Sequence, residues 1–97
     1  MITKYEGMCI ICGKRATDCH HLLYGTANRK LSDEDDLTIP LCKEHHLGDK
    51  SVHRQKELMI MAQIIGQLAY EKKRCAEGMT EEEARESFRQ RYGRCVI

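Results

Sequence analysis

A chain of 97 residues is long enough for one domain with a small core. Hydrophobic residues make up 41% of it, but aromatic residues only 5%, and there is no Trp. The formal net charge of +1 excludes the strongly basic composition that is typical of whole-domain nucleic-acid binders, so any such function must depend on local charge. We therefore expect a single domain, residues 1–97, whose thin core a bound metal would stabilise.

The N-terminus lacks the charged and then apolar pattern of a signal peptide, and no apolar run reaches membrane-spanning length. We therefore expect a cytoplasmic protein with no membrane partner. In a reducing compartment, the six cysteines are expected to be metal ligands or plain thiols rather than disulfides.

All five histidines and four of the six cysteines lie between residues 9 and 53. They are Cys9, Cys12, Cys19, His20, His21, Cys42, His45, His46 and His53. Four protein ligands close a structural zinc site, and a catalytic site keeps one position open, so this series holds more ligands than one site can use. The stretch predicts two metal sites.

The first ligand pair is Cys9 and Cys12, which are followed by Gly13, where the backbone can turn back. Cys42 and His45 repeat the two-residue spacing, and C-x-x-C plus C-x-x-H is a strong signal for a structural zinc. One alternative is a thioredoxin-like redox pair, but the βαβ pattern that it requires is not visible. The other is a set of buried cysteines and surface histidines at chance spacing.

Two strands are predicted between these ligand pairs, at residues 17–23 and 37–41. Pro40 is tolerable there only at an edge or a bulge. The strands would form a β-hairpin with a long loop, in which residues 24–30 are rich in turn formers and basic residues. Residues 31–34 would form a brief helical turn.

Two helices are predicted after the hairpin, which makes the fold class α+β. The first would begin near Ser51 as N-cap and end at Gly78. Its apolar face would be formed by Leu58, Met61, Ile65 and Leu68 and widened by Met59, Ile60, Ala62, Ile64 and Ala69, with the methionines as core filler. The second helix would span residues 79–92 and start with a capping box of Thr80 and Glu83.

Four histidines remain once the structural zinc has its ligands. His20 and His21 point to opposite faces if they lie on a strand, so they are not expected to share one role. His46 follows the last zinc ligand, and His53 would lie on the first turn of the long helix. One member of the pair could then join His46 and His53 around a second metal, while the other contacts substrate or water.

This division of roles suits phosphodiester hydrolysis. A divalent ion neutralises the scissile phosphate and the leaving oxygen, and a neutral imidazole takes a proton from the attacking water. The flanking phosphates would be held by four nearby basic residues, which are Arg29, Lys30, Lys50 and Arg54. A solvated basic loop is an equally good interpretation for Arg29 and Lys30. Cys19 is expected to be a buried thiol, and Cys75 and Cys95 plain thiols.

The order C-x-x-C, His-His after a strand, a second strand, and Cys-Lys-Glu-His-His before a helix resembles the HNH, or ββα-metal, endonucleases. The likeness spans roughly residues 7–92 and is closest to small phage and prophage HNH proteins and the phage recombination-enhancement nuclease. Its most specific parts are residues 19–25, 28–32, 41–46 and 52–53. The resemblance implies a zinc-stapled ββα-metal finger over residues 9–57 and a helical extension over residues 58–97.

The resemblance also implies roles for single residues. His21 would be the general base, and His20, His46 and His53 would bind a catalytic Mg²⁺, Mn²⁺, Ni²⁺ or Zn²⁺. The structural Zn²⁺ would be held by Cys9, Cys12, Cys42 and His45. The central Asn of the family is absent from this chain, so Asp36 or Asn28 would have to orient the base. Asn28 is as readily explained as a turn residue.

We therefore expect a metal-dependent DNA endonuclease, encoded by a phage or prophage. A domain this small would make few phosphate contacts, so a homodimer, or a larger phage recombination or packaging protein, is the expected partner beside DNA. The alternative is a non-catalytic zinc module that binds nucleic acid or a protein. The modest basic charge and the absent Asn favour the alternative, whereas four histidines beyond the zinc ligands favour the nuclease.

Overall fold

The computed structural model describes residues 1–97 as a two-stranded antiparallel sheet and four helices. In chain order these are β1 (Asp18–His21), α1 (Thr26–Glu34), β2 (Thr38–Leu41), α2 (Lys43–Leu47), α3 (Lys56–Ala76) and α4 (Glu81–Tyr92). The predicted α+β class, with a hairpin followed by two long helices, is confirmed. No helix combines the length and the apolar composition needed to cross a membrane.

The hairpin pairs Asp18 with Leu41 and His20 with Ile39. All four residues of β2 are buried, because the N-terminal segment runs along this strand as well. The N–H of Ile2 donates to the carbonyl of Thr38 at 3.0 Å. Pro40 has no N–H, but its carbonyl accepts from Ile10 at 3.0 Å. The sheet thereby fixes the N-terminal segment, including the first cysteine pair.

The connection between the strands contains a helix where we predicted a turn-rich loop over residues 24–30. α1 follows Gly25, whose φ of 105° suits a residue without a Cβ. The side chain of Asn28 donates to the carbonyl of Tyr24, and Ser32 is fully buried. Just after the helix, Asp35 accepts hydrogen bonds from α4. Tertiary contacts therefore decide the conformation of a segment whose local pattern resembled a loop.

The long helix begins later than predicted, at Lys56 rather than near Ser51. Ser51 is fully buried in a turn, and its carbonyl accepts from the N–H of Gln55. His53 consequently lies in the loop between α2 and α3, and its predicted place on the helix was wrong. The sequence pattern did not predict the short helix α2. This helix carries His46 and also His45, which forms the C-x-x-H pair with Cys42.

The last helix confirms the predicted start signal. The hydroxyl of Thr80 accepts from the N–H of Glu83, and the Glu83 carboxylate accepts from the N–H of Thr80. Phe88 and Tyr92 then stack at 4.7 Å between ring centroids. Both rings contact Tyr70 of α3 edge to face, so aromatic packing joins the two long helices.

The face of α3 that packs inward is only one edge of the broad face predicted. Ala62, Gly66 and Tyr70 are buried, whereas Met61 is 55% exposed and Leu68 51% exposed. The centre of the predicted face therefore lies in solvent, while its members Leu58, Ala62 and Ala69 pack inward. Gly66 explains the choice of face, because its missing side chain lets α3 lie directly against the leucines that follow β1.

We expect Gly66→Ala to destabilise the protein by about 1–2 kcal/mol, despite the better helix propensity of alanine. A Cβ at Gly66 would lie 2.8 Å from Cδ2 of Leu23 and 3.0 Å from Cβ of Leu22. Both leucines are buried and have little room to move. Urea unfolding measures the change. In the Leu23→Ala background the same substitution should cost much less, and an equal cost in both backgrounds would contradict the steric cause.

Candidate metal centres

The first candidate centre joins the two ligand pairs, which lie on separate parts of the chain. The first pair sits in a tight turn, in which the N–H of Cys9 donates to the carbonyl of Lys14 at 2.7 Å. The second pair spans the start of α2. The ligand atoms of the four residues lie within 4.8 Å of one another, and the residues are Cys9, Cys12, Cys42 and His45.

The distances in this cluster fit a tetrahedral zinc. Sγ of Cys12 lies 3.8 Å from Sγ of Cys42, and Nδ1 of His45 lies 3.3 Å from Sγ of Cys42 and 3.8 Å from Sγ of Cys9. A zinc–sulfur distance of about 2.3 Å implies a sulfur–sulfur separation of about 3.8 Å in a tetrahedron. The cluster can therefore hold a structural metal such as zinc, as its spacing predicted.

The thiols are also electrostatically suited to a cation. Burial raises the pKa of the Cys9 thiol, but backbone N–H groups of Cys42, Cys12 and Ile11 outweigh this effect and lower the pKa to about 6. The backbone of Lys14 favours the Cys12 thiolate, yet desolvation and the two neighbouring sulfurs raise the pKa of Cys12. A metal ion among these sulfurs would relieve their mutual repulsion and favour all three thiolates.

A second cluster brings together His20, His46 and His53, again with ligand atoms within 4.8 Å of one another. β1 supplies the first imidazole, α2 the second, and the loop before α3 the third. Nε2 of His46 lies 3.1 Å from Nε2 of His53, and the ring of His20 stands edge-on to both. Three imidazoles leave a coordination position open, which distinguishes this donor set from the closed Cys₃His cluster.

A carboxylate that the sequence pattern did not reveal lies behind this cluster. Oδ2 of Asp18 is 2.7 Å from Nδ1 of His46. Because an ionised carboxylate can only accept, Nδ1 of His46 donates, and the lone pair lies on Nε2, which faces His53. The hydrogen bond from His46 lowers the pKa of Asp18, against desolvation and with help from Thr17 and Lys43. Asp18 thus fixes the ring in the tautomer that a metal ligand needs.

Partial desolvation favours the neutral form of the other two imidazoles, which is the form that binds metals. Desolvation, followed by the charges of His53, His46 and His21, lowers the pKa of His20 to about 4. Desolvation and the charge of His46 also lower the pKa of His53. Protons therefore compete less with a metal ion for His20 and His53 than for an unperturbed imidazole.

We expect Asp18→Asn to weaken divalent-metal binding at the histidine cluster by roughly 10- to 100-fold. An asparagine can offer His46 either an acceptor or a donor, so the ring tautomer is no longer fixed. Titration with Co²⁺, followed through its visible absorption bands, measures the affinity. Asp49→Asn is the matched control, because Asp49 is exposed and pairs only with Arg54. If the Asp18→Asn protein and the wild type bound the metal with equal affinity, Asp18 would not orient His46 for metal binding.

His21, the predicted general base, lies outside the three-histidine cluster, as its opposite strand face implies. Its Nε2 is 2.7 Å from Oδ1 of Asp33, on α1. The two residues predicted to orient it are bonded elsewhere: Asp36 pairs with the N-terminal ammonium group, and Asn28 with a backbone carbonyl. Asp33 therefore makes the contact to His21 that the resemblance led us to expect from Asp36 or Asn28.

One cavity of about 550 Å³ connects the three-histidine cluster with His21. His20, His21, His46 and His53 line it, together with Tyr24, Arg29 and Gln63. Of the four predicted phosphate contacts, Arg29 alone lines this cavity. Arg54 is exposed and pairs with Asp49, while Lys30 and Lys50 are exposed elsewhere on the surface.

Cys19 also lines the cavity, and the expectation that it is buried was wrong. His20, the next residue along β1, takes the inward position, so the alternation of the strand turns the thiol outward. Cys75 and Cys95 are free thiols, as predicted.

Residues 4–58 match a family described as protein of unknown function (DUF968). No curated protein and no solved structure matches the chain. The matched stretch contains the hairpin, α1, α2 and all members of both clusters, and it ends just inside α3. Both candidate metal centres therefore belong to the part of the chain that the family shares.

Proposed function

We propose that this chain, which belongs to the family described as protein of unknown function (DUF968), is a metal-dependent DNA endonuclease of the HNH, or ββα-metal, type. One observation carries the proposal. Three histidines form a metal-ligand set with an open coordination position. A fourth histidine, His21, lines the same cavity, and one of its ring nitrogens is hydrogen-bonded to the carboxylate of Asp33. A structural zinc module has no use for this second set of imidazoles.

The order of the elements supports the same proposal. A two-stranded antiparallel hairpin followed by a helix is the arrangement that the name ββα describes, and β1, β2 and α2 follow in that order. Two of the three clustered histidines lie on these elements, His20 on β1 and His46 on α2. The Cys₃His cluster joins the N-terminal turn to α2 and would hold the helix against the hairpin.

The residues of the chain divide the chemistry between them. His20, His46 and His53 would hold a divalent ion, which when bound supplies charge neutralisation for the scissile phosphate and the leaving oxygen. Asp33 accepts from Nε2–H of His21, so the lone pair of that ring lies on Nδ1. Nδ1 of His21 is then the atom that takes a proton from the attacking water, and Asp33 stabilises the imidazolium that forms.

The DNA backbone would be bound by basic side chains close to the cavity. Arg29 lies on the wall of the cavity and is exposed, so its guanidinium can bind a phosphate next to the scissile bond. Such contacts position the backbone and do not read the sequence of bases. Cleavage with little sequence preference follows from this arrangement.

The test is cleavage of supercoiled plasmid by the purified protein with Mg²⁺, Mn²⁺, Ni²⁺ or Zn²⁺ added in turn. We expect nicked or linear product with at least one ion, and a loss of at least about 100-fold in rate for His46→Ala. Arg54→Ala is the matched control, because its guanidinium lies outside the cavity. Cleavage by His46→Ala at the wild-type rate would refute the proposed centre.

A non-catalytic zinc module remains the second candidate, and one observation favours it. Met8, Ile10 and Ile11 are 49%, 46% and 44% exposed around the first cysteine pair. Such an apolar tip suits contact with a partner. If the wild type is inert with every ion while each chain retains zinc in the Cys₃His cluster, this second function becomes the better one.

A further inference from the structure

Helix α3 has a second apolar face, on the side opposite its packed one. Met61, Ile65 and Leu68 are 55%, 37% and 51% exposed, and their spacing of four and three residues places them in one stripe. The packed side carries Ala62, Gly66 and Tyr70. A helix with apolar residues on both sides normally buries both, so the outer stripe is a surface without its partner.

On α3 itself, charged residues border this stripe, one of each sign. Beside Leu68 and Lys72, the start of α4 adds Glu81, Glu82 and Arg85, which line the same surface cavity. Glu57 precedes the stripe and Lys72 follows it on the same side of the helix. Both are exposed, and neither forms an ion pair within the chain. Their free charges are therefore available to a partner.

The stripe is symmetric in a way that identifies the partner. Glu57 and Lys72 lie at equal distances in sequence from the midpoint between Ile64 and Ile65. Met61 and Leu68 are related in the same way, one on each side of this midpoint. A twofold axis at the midpoint would place Met61 against Leu68 of another chain, and Glu57 against Lys72, at both ends of the contact.

We infer that this outer face of α3 binds a second copy of the chain, with the two α3 helices antiparallel about a twofold axis at Ile64 and Ile65. A parallel pair would set Glu57 beside Glu57 and Lys72 beside Lys72, which is repulsive at both ends. The helix has 21 residues, about 31 Å in length, so the contact has an apolar centre and a charged rim. This interface does not depend on the proposed nuclease activity.

The balance of charge also separates a second copy from other partners. A membrane surface or a nucleic acid would favour basic residues around the stripe. Along α3 the stripe instead carries one acid and one base at equal distances from its centre, which suits a self-complementary surface. The neighbouring α4 residues Glu81, Glu82 and Arg85 add no excess of basic charge.

Sedimentation equilibrium of the full chain, at up to about 100 µM, tests the interface. We expect a dimer, and Leu68→Glu should raise its dissociation constant by roughly 100-fold or more, since it sets a charge into the apolar centre. Leu68 is exposed, so the variant should keep its helical circular dichroism. A wild type that stays monomeric at all concentrations would overturn the inference, as would a dimer unaffected by Leu68→Glu.

Charge reversal gives a second test that does not touch the apolar stripe. Glu57→Lys alone, or Lys72→Glu alone, should weaken the dimer by about tenfold, because each creates two like-charge contacts across the axis. The double variant should restore wild-type affinity. Lys73→Glu is the matched control, because this neighbouring exposed residue points to another side of the helix. Failure of the double variant to recover affinity would exclude the antiparallel pairing.

Discussion

Cys12→Ala is expected to abolish the ordered structure of the hairpin and its flanking turns. The side chain is exposed, so its loss removes almost no packing and acts through the metal cluster alone. Zinc bound at structural sites of this kind contributes roughly 10–16 kcal/mol in small peptides, which exceeds the stability of a small domain. The measurement is zinc content together with thermal unfolding followed by circular dichroism.

The reason for so large an effect is the size of the core around the hairpin. Its buried apolar side chains are few and mainly aliphatic, and they are Leu22, Leu23, Leu37, Ile39, Leu41 and Val52. The aromatic part of the core lies between α3 and α4, which the metal cluster does not touch. We therefore expect the long helices to keep part of their helical signal while the first half of the chain unfolds.

Cys75→Ala is the matched control for this prediction. Cys75 is also a free cysteine, but it lies on α3, away from both clusters. The Cys75→Ala variant should keep its zinc and unfold within a few degrees of the wild type. Removal of zinc from the wild type by a chelator should reproduce the Cys12→Ala result. A Cys12→Ala protein with unchanged zinc content and unchanged unfolding temperature would show that the cluster is not a structural metal site.

The structural cluster and the hairpin could be predicted from the sequence because their signals are local. Each ligand pair has its own two-residue spacing, and each predicted strand has turn formers close to one of its ends. The capping box of α4 is equally local and was confirmed. Patterns of this kind depend on neighbours along the chain, and tertiary contacts did not change them.

The rest of the site depends on contacts between distant residues. Asp18 meets His46 only because the hairpin and α2 are held together, and Asp33 meets His21 because α1 folds back over β1. Asp33 and Asp36 both belong to the acidic run of residues 33–36, which by itself indicates only a solvated loop. Sequence spacing could not choose between these two carboxylates.

The face of α3 illustrates a different difficulty. Apolar residues surround this helix, so the periodicity indicated a helix but did not decide which side is inside. Gly66 decided it, because only a residue without a side chain allows the close approach to Leu22 and Leu23. From the sequence alone, Gly66 indicated only a residue that weakens the helix, and not a site of close packing.

If the chain cleaves DNA as proposed, His21→Ala should lower the rate by roughly 10²- to 10⁴-fold, the usual contribution of a positioned general base. Metal binding by His20, His46 and His53 should be unchanged, since His21 lies outside their cluster. The comparison therefore separates proton transfer from metal binding. Single-turnover cleavage of a labelled DNA fragment gives the rate, and Co²⁺ titration gives the metal affinity of the same variant.

The carboxylate behind the base supplies a finer test of the same site. Asp33→Asn should slow cleavage by about tenfold, because the amide no longer stabilises the His21 imidazolium but can still accept from Nε2–H. Asp33 is 65% exposed, so the variant should unfold at the wild-type urea concentration. Asp36→Asn removes a nearby carboxylate that pairs with the N-terminal ammonium group instead, and it should cleave at the wild-type rate. If Asp36→Asn rather than Asp33→Asn slowed cleavage, the base would be oriented as its sequence position first suggested, and the contact with Asp33 would have no catalytic role.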